Sequence, residues 1–183
     1  MANKLVDIFD EDNKPLKLQK MLKEVHLNGE WHRVAHIWIY NSKGDILLQK
    51  RSRKKKLYPD MLDVSLHVHV SANELPIVTA IKALEEKRGI STVKSKLTLL
   101  GIRKSQTKYE HVNNNEYFYI YAYRLDGKLE DLNIKEDRIQ LLQFYSIAKV
   151  EKELKMTTGK YTPRGEYWQF VLSEIKKLSN CKR

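Results

Sequence analysis

Residues 68–90, VHVSANELPIVTAIKALEEKRGI, decide the fold: a strand end, a polar loop, then a helix closed by glycine. The apolar residues Ile77, Ile81 and Leu84 recur at helical spacing, while Lys82, Glu85, Glu86 and Lys87 take the other side. Pro76 suits a first helical turn, where a missing N–H costs nothing, and Gly89 suits a helix end. The predicted helix therefore runs over about residues 76–88. Ala83, Glu86 and Lys87 are spaced i, i+3, i+4 and share one face. Lys82 and Glu86 can also pair at i, i+4, which stabilises a helix by about 0.3–0.5 kcal/mol.

The flanking sequence is strand-rich. Residues 5–9 alternate apolar and acidic side chains and run into Asp10-Glu11-Asp12-Asn13-Lys14-Pro15, a cluster of turn formers, so they open a hairpin. Residues 16–30 are mixed. Residues 32–40, HRVAHIWIY, carry the strongest strand pattern, and Asn41-Ser42-Lys43-Gly44 turns them into a second strand over residues 45–50. Beyond the helix, residues 97–102 and 117–123 read as strands separated by a polar loop, residues 104–115, and residues 140–145 as a last strand. Two helices follow, residues 146–155 and 164–178, the second amphipathic through Tyr167, Phe170, Val171 and Ile175.

At 183 residues, with seven Gly and four Pro, no internal repeat and no low-complexity segment, the chain reads as one domain over residues 1–183. Its N-terminal hairpin segment occupies residues 1–30 and its C-terminal helices residues 146–179. The opening apolar run is too short for a signal peptide, and no stretch approaches the roughly 18 apolar residues of a membrane helix. A cytoplasmic location without membrane contact is expected. Cys181, the single cysteine, has no internal partner, which fits a reducing compartment.

The net charge of +11 favours anionic partners: nucleic acid, nucleotide, diphosphate or an acidic surface. The densest run, Lys50-Arg51-Ser52-Arg53-Lys54-Lys55-Lys56, serves as a solvated loop, a phosphate clamp or a nucleic-acid contact. Aromatic residues for base stacking are not interleaved through it, which argues against a dedicated single-strand binder. His67 and His69 share one face of a strand, and two histidines at i, i+2 can form half of a zinc site. They serve equally as polar residues at a strand end, and no Cys pairs or His-Glu-x-x-His motif accompany them. Glu116, opening a very aromatic strand, is a metal ligand, a base that activates water, or a solvated strand end. Glu74 caps or braces the loop before the helix.

Residues 68–90 also resemble the Nudix box. Glu74, Leu84, Glu86, Gly89 and Ile90 match its pattern; Val68 stands for the first Gly, Lys82 for Arg, Ala83 for the first catalytic Glu and Lys87 for the last Glu. The resemblance continues through Val6-Asp7-Ile8-Phe9-Asp10-Glu11, Trp31-His32-Arg33, Leu47-Leu48-Gln49-Lys50-Arg51-Ser52, residues 59–65 and His69-Val70-Ser71-Ala72, spanning roughly residues 5–125. These segments look like the Nudix branch related to type 1 isopentenyl-diphosphate isomerases. The implied fold is α+β, an α/β/α sandwich with a mixed sheet.

The resemblance implies a Mg2+- or Mn2+-dependent hydrolase of a nucleoside diphosphate linked to another moiety, weakened by the lost box carboxylates. Glu86, with Glu85 and Glu74, would hold the metal; Glu86 and Glu116 would be catalytic; Arg51, Lys55 and Lys82 would bind the substrate's phosphates. The isomerases hold their metal with three histidines and two glutamates, and His26, His32, His69 and Glu116 fall at such positions, an alternative metal set. Asn114 stands where the second glutamate would be, and His67 where the catalytic cysteine would be. The expected partner is a small phosphorylated substrate, with a homodimer left open. The competing functions are a catalytically inactive binding or regulatory module, isomerase-like chemistry, and nucleic-acid binding through residues 50–56.

Overall fold

The computed structural model describes residues 4–109, 112–133, 139–156 and 159–180, so Cys181 lies outside the described residues. In chain order the elements are β1 (Leu5–Phe9), β2 (Pro15–Met21), α1 (Leu22–Asn28), β3 (Trp31–Tyr40), β4 (Ile46–Arg51), β5 (Leu62–Asp63), β6 (Leu66–His69), α2 (Pro76–Arg88), β7 (Leu97–Tyr109), β8 (Val112–Arg124), β9 (Ile139–Tyr145), α3 (Ile147–Lys155) and α4 (Glu166–Asn180). The described strands form one mixed sheet organised on β3. β3 runs parallel to β8 along its whole length, from Trp31 opposite Asn115 to Tyr40 opposite Arg124, and antiparallel to β6 over residues 34–37.

Alternation along β3 builds two cores. Ala35, Ile37 and Ile39 face Ala80, Ala83 and Leu84 of α2, whereas Val34, Trp38 and Tyr40 join Trp168, Val171, Leu172 and Ile175 of α4. Helices thus cover both faces of the sheet, and β3, apolar on both sides, reads as the nearly continuous hydrophobic run of a doubly covered strand. The helix α2 has Pro76 in its first turn and ends at Gly89, whose φ of 70° is the left-handed conformation of a helix cap. Leu84 is fully buried beneath it, and truncation to alanine would cost about 2–5 kcal/mol.

Three local readings change. Residues 104–109 and 112–115 are strand: β7 and β8 pair from Leu97 opposite Tyr123 out to Tyr109 opposite Val112. The outer part of this ribbon is largely solvated on both faces, so its polar residues carry no apolar alternation to betray a strand. β3 and β4 meet only at Tyr40 opposite Ile46 instead of forming an extended hairpin, because β4 is claimed by β9 and β5. The mixed stretch after the first turn resolves into β2 and α1, with Leu22 and Val25 of α1 closing over Val6 and Ile8. Among the described residues no helix is long and apolar enough to cross a membrane.

Candidate metal and anion site

Strand register assembles the site. The parallel ladder sets His32 opposite Glu116, and the antiparallel ladder sets His36 opposite His67 and Val34 opposite His69. Residues two apart share a face, so β3, β6 and β8 turn His32, His36, His67, His69 and Glu116 toward the side covered by α4. α1 delivers His26, and its closing Gly29, at φ 69°, returns the chain into β3.

Four imidazoles surround the buried Glu116 carboxylate. Its Oε1 lies 3.4 Å from His69 Nε2, 3.7 Å from His32 Nε2 and 3.8 Å from His67 Nε2, while His26 Nε2 is 3.3 Å from His32 Nε2. One ligand atom each from His26, His32, His69 and Glu116 falls within 4.8 Å of all the others, the metal-type cluster found among the described residues. His32 Nδ1 lies 3.1 Å from the Glu30 carbonyl, which can only accept; Nδ1 therefore carries a hydrogen, and Nε2 faces Glu116. Glu116 Oε1 and His69 Nε2 are buried without a hydrogen-bond partner.

Electrostatics reinforce that arrangement. Burial would raise the Glu116 carboxyl, but attraction to His32 and His69 outweighs it and holds the group well below the ordinary carboxylate range. Burial, and then the neighbouring His69 and His32, push His26 down to about 4, and burial lowers His69 against the pull of Glu116. Three imidazoles and one buried carboxylate thus converge on one point, a donor set suited to a divalent cation.

The box residues stand elsewhere. Glu74 is bound by the Lys82 ammonium at 2.5 Å and by the Thr79 hydroxyl, so Lys82 pairs with Glu74 instead of Glu86. Glu85 and Glu86 are exposed on α2, whereas Ala83 is buried in the core between α2 and the sheet. Glu74, Glu85 and Glu86 do not join Glu116 in a common ligand cluster among the described residues.

A cavity of about 600 Å³ opens beside the His/Glu cluster. His26, His67, His69 and Glu116 form part of its wall, with Lys54, Lys55 and Lys56 from the basic loop, Lys87 from the end of α2, and Arg51 and Arg164. Arg51 is chiefly a brace: Nη1 donates to Asp63 at 2.8 Å, Nε to the Tyr58 carbonyl at 3.0 Å and Nη2 to the Leu57 carbonyl at 2.8 Å. Arg164 donates to both oxygens of the same Asp63, at 3.1 and 3.2 Å. Burial would raise the Asp63 carboxyl, but Arg164 and Arg51 hold it far below the usual range. Two guanidinium groups against one carboxylate leave a net positive charge at the cavity wall.

Sequence reasoning singled out Arg51 and Lys55 but passed over Asp63, Arg164, His36 and Tyr167. Asp63 had a signal in the segment 59–65; Arg164, a hundred residues along the chain, had none, because only folding sets it against Asp63.

The comparisons with known proteins bear on this geometry. The family model of the NUDIX domain matches residues 30–165. The chain belongs to the Nudix family. At family level this means hydrolases acting on pyrophosphate bonds, generally with divalent metal ions. An uncharacterized Nudix hydrolase of Clostridium acetobutylicum is 30% identical over 142 residues, covering 76% of this Nudix chain and 68% of that protein. The isopentenyl-diphosphate Δ-isomerase of Pectobacterium atrosepticum is 25% identical over 180 residues, covering 92% and 96%. The crystal structure of a Deinococcus radiodurans protein superposes with a TM-score of 0.65 at 16% identity, covering 98% of this chain and all of that one.

Proposed function

We propose that this Nudix protein hydrolyses a small nucleotide-type diphosphate at a centre where His26, His32, His69 and Glu116, and not the box carboxylates, hold the divalent ion. One observation carries the reading: a buried Glu116 oxygen and a buried His69 nitrogen lack hydrogen-bond partners, and His32 Nε2 faces the same carboxylate. Groups so arranged are left uncompensated unless a cation lies among them. Imidazole donors favour Zn2+ or Mn2+ over the Mg2+ that the box alone would suggest.

A divalent ion, when bound, supplies charge neutralisation for the phosphate oxygens. The chain does the rest. Lys54, Lys55 and Lys56 of the basic loop and Lys87 of α2 all line the cavity, so a diphosphate bound there meets cations from two separate segments. Arg51 and Asp63 hold residues 57–58 in place, which fixes the wall that the lysines flank and orients the substrate. Glu116, kept ionised, is the buried anion that balances the ion. Among the box carboxylates Glu74 serves as a partner for Lys82, and Glu86 is left to solvent.

The test is a metal titration paired with turnover on a panel of nucleoside diphosphates carrying a second moiety. Glu116→Gln should abolish tight metal binding and turnover, and Glu86→Gln should leave both nearly intact. Loss with Glu86→Gln and retention with Glu116→Gln would return the metal to the box. A second reading, allylic diphosphate isomerisation, is favoured by the His/Glu set together with the similarity to the Pectobacterium isomerase, and isopentenyl diphosphate belongs in the panel. Ligand-induced stabilisation without any turnover would instead support a binding module.

A further inference from the structure

Four histidines crowd Glu116, yet the structure divides them. His26, His32 and His69 supply the clustered ligand atoms, and His67 does not, although its Nε2 is 3.8 Å from Glu116 Oε1. The difference comes from behind. Trp38 Nε1, which can only donate, gives its hydrogen to the Tyr167 hydroxyl oxygen at 2.9 Å. That hydroxyl is buried and lies 2.5 Å from His36 Nδ1, the one acceptor it meets among the described hydrogen bonds, so donating its hydrogen to Nδ1 spares it from being buried unpaired. His36 then carries its hydrogen on Nε2 and donates it to His67 Nδ1 at 2.9 Å. With Nδ1 accepting, His67 carries its hydrogen on Nε2, the ring nitrogen turned away from His36, and His67 lines the cavity.

We propose that the Trp38–Tyr167–His36 chain fixes His67 as the Nε2–H tautomer, making it the one histidine around Glu116 that donates a hydrogen bond to the substrate's diphosphate instead of ligating metal. This rests on the diphosphate reading above. A nitrogen bearing hydrogen has no lone pair for a cation, so the chain excludes His67 from the ligand set while aiming a donor into the same cavity. At 3.8 Å, Glu116 is beyond hydrogen-bond reach of that N–H, and an anionic oxygen in the cavity is its natural acceptor. Trp38, Tyr167 and His36 act through His67 and are positioning residues; His67 alone would touch substrate.

The test combines ring 15N spectroscopy with binding of inorganic pyrophosphate to the full, metal-loaded chain. His67 should show the Nε2–H pattern, and Tyr167→Phe, which removes the directing hydroxyl, should turn it into a mixture of tautomers. His67→Gln keeps an N–H near the Nε2 position and should bind pyrophosphate within about threefold of wild type, whereas His67→Asn should lose roughly tenfold or more, the worth of a hydrogen bond to a charged group. An Nδ1–H or doubly protonated His67, or equal losses in the Gln and Asn variants, overturns the inference. A wild type that fails to bind pyrophosphate sinks the diphosphate reading and with it the proposed acceptor, and the spectra then decide the tautomer by themselves.

Discussion

His32 and Glu116 are register partners across the parallel β3–β8 ladder, with His32 Nε2 3.7 Å from Glu116 Oε1 and its Nδ1 hydrogen committed to the Glu30 carbonyl. Imidazole nitrogens gathered around a buried carboxylate are an arrangement that a divalent cation stabilises. If the proposed centre holds an ion, chelation should lower the Tm, and readdition of Zn2+ or Mn2+ at about 100 Kd should restore about 2.7 kcal/mol. Loss of an outer partner alone typically weakens metal binding roughly 10- to 100-fold, so Glu116→Gln, which alters a proposed ligand, should cost at least that. Competition with a chromophoric chelator measures it; wild-type affinity in Glu116→Gln would rule the site out.

Ala83 gives a sharper stability prediction. It is 2% exposed and belongs to the apolar cluster between α2 and the sheet, so restoring the glutamate of the family pattern would bury a carboxylate among apolar side chains. Ala83→Glu should lose about 4 kcal/mol or more, because an isolated buried carboxyl pays desolvation in either protonation state. Glu86→Gln, on an exposed position, should stay within about 0.5 kcal/mol. Urea denaturation of the two variants reads both. An unaffected Ala83→Glu would contradict the packing of α2 described above.

These two cases show what the sequence made legible. The helix over Pro76–Arg88, its proline start and its glycine stop follow from local spacing, and so do residues 31–40 as the main strand. Which carboxylate would face a metal did not follow. Helical periodicity places Ala83, Glu86 and Lys87 on a shared side, but it cannot tell that Ala83 turns into the core while Glu86 stays in solvent. The pairing of His32 with Glu116 depends on a parallel register between strands far apart in the chain, which no local pattern encodes. Resemblance placed His26, His32, His69 and Glu116 as an alternative set without their geometry; the His36–Tyr167 contact, lying behind them, left no trace in either spacing or motif.

Asp63 anchors the basic wall. It is fully buried and receives hydrogen bonds from both Arg51 and Arg164, so its removal strands two guanidinium groups. Asp63→Asn should destabilise the fold by about 3–5 kcal/mol, as expected when one partner of a buried ion pair is deleted. Far-UV circular dichroism with urea titration would detect the loss. Stability equal to wild type would mean that the arginines find other partners.

His36 sets an acid limit on stability. Burial first, and Arg164 second, lower it well below 6.5, so the folded protein keeps it neutral while the unfolded chain protonates it as the pH falls past about 6.5. Because the unfolded state binds the extra proton, its free energy drops on acidification and unfolding becomes easier: stability is complete above that pH and declines below it until the folded-state value is reached. Between pH 8 and pH 5.5 this single group should therefore lower the stability, through the excess protonation of the unfolded chain. Urea midpoints for wild type and His36→Leu across pH 5.5–8 isolate the contribution. The variant, though less stable throughout, should show a shallower slope by close to one proton. An identical slope would mean that His36 takes up its proton inside the fold, which the directed chain from Trp38 through Tyr167 leaves no room for.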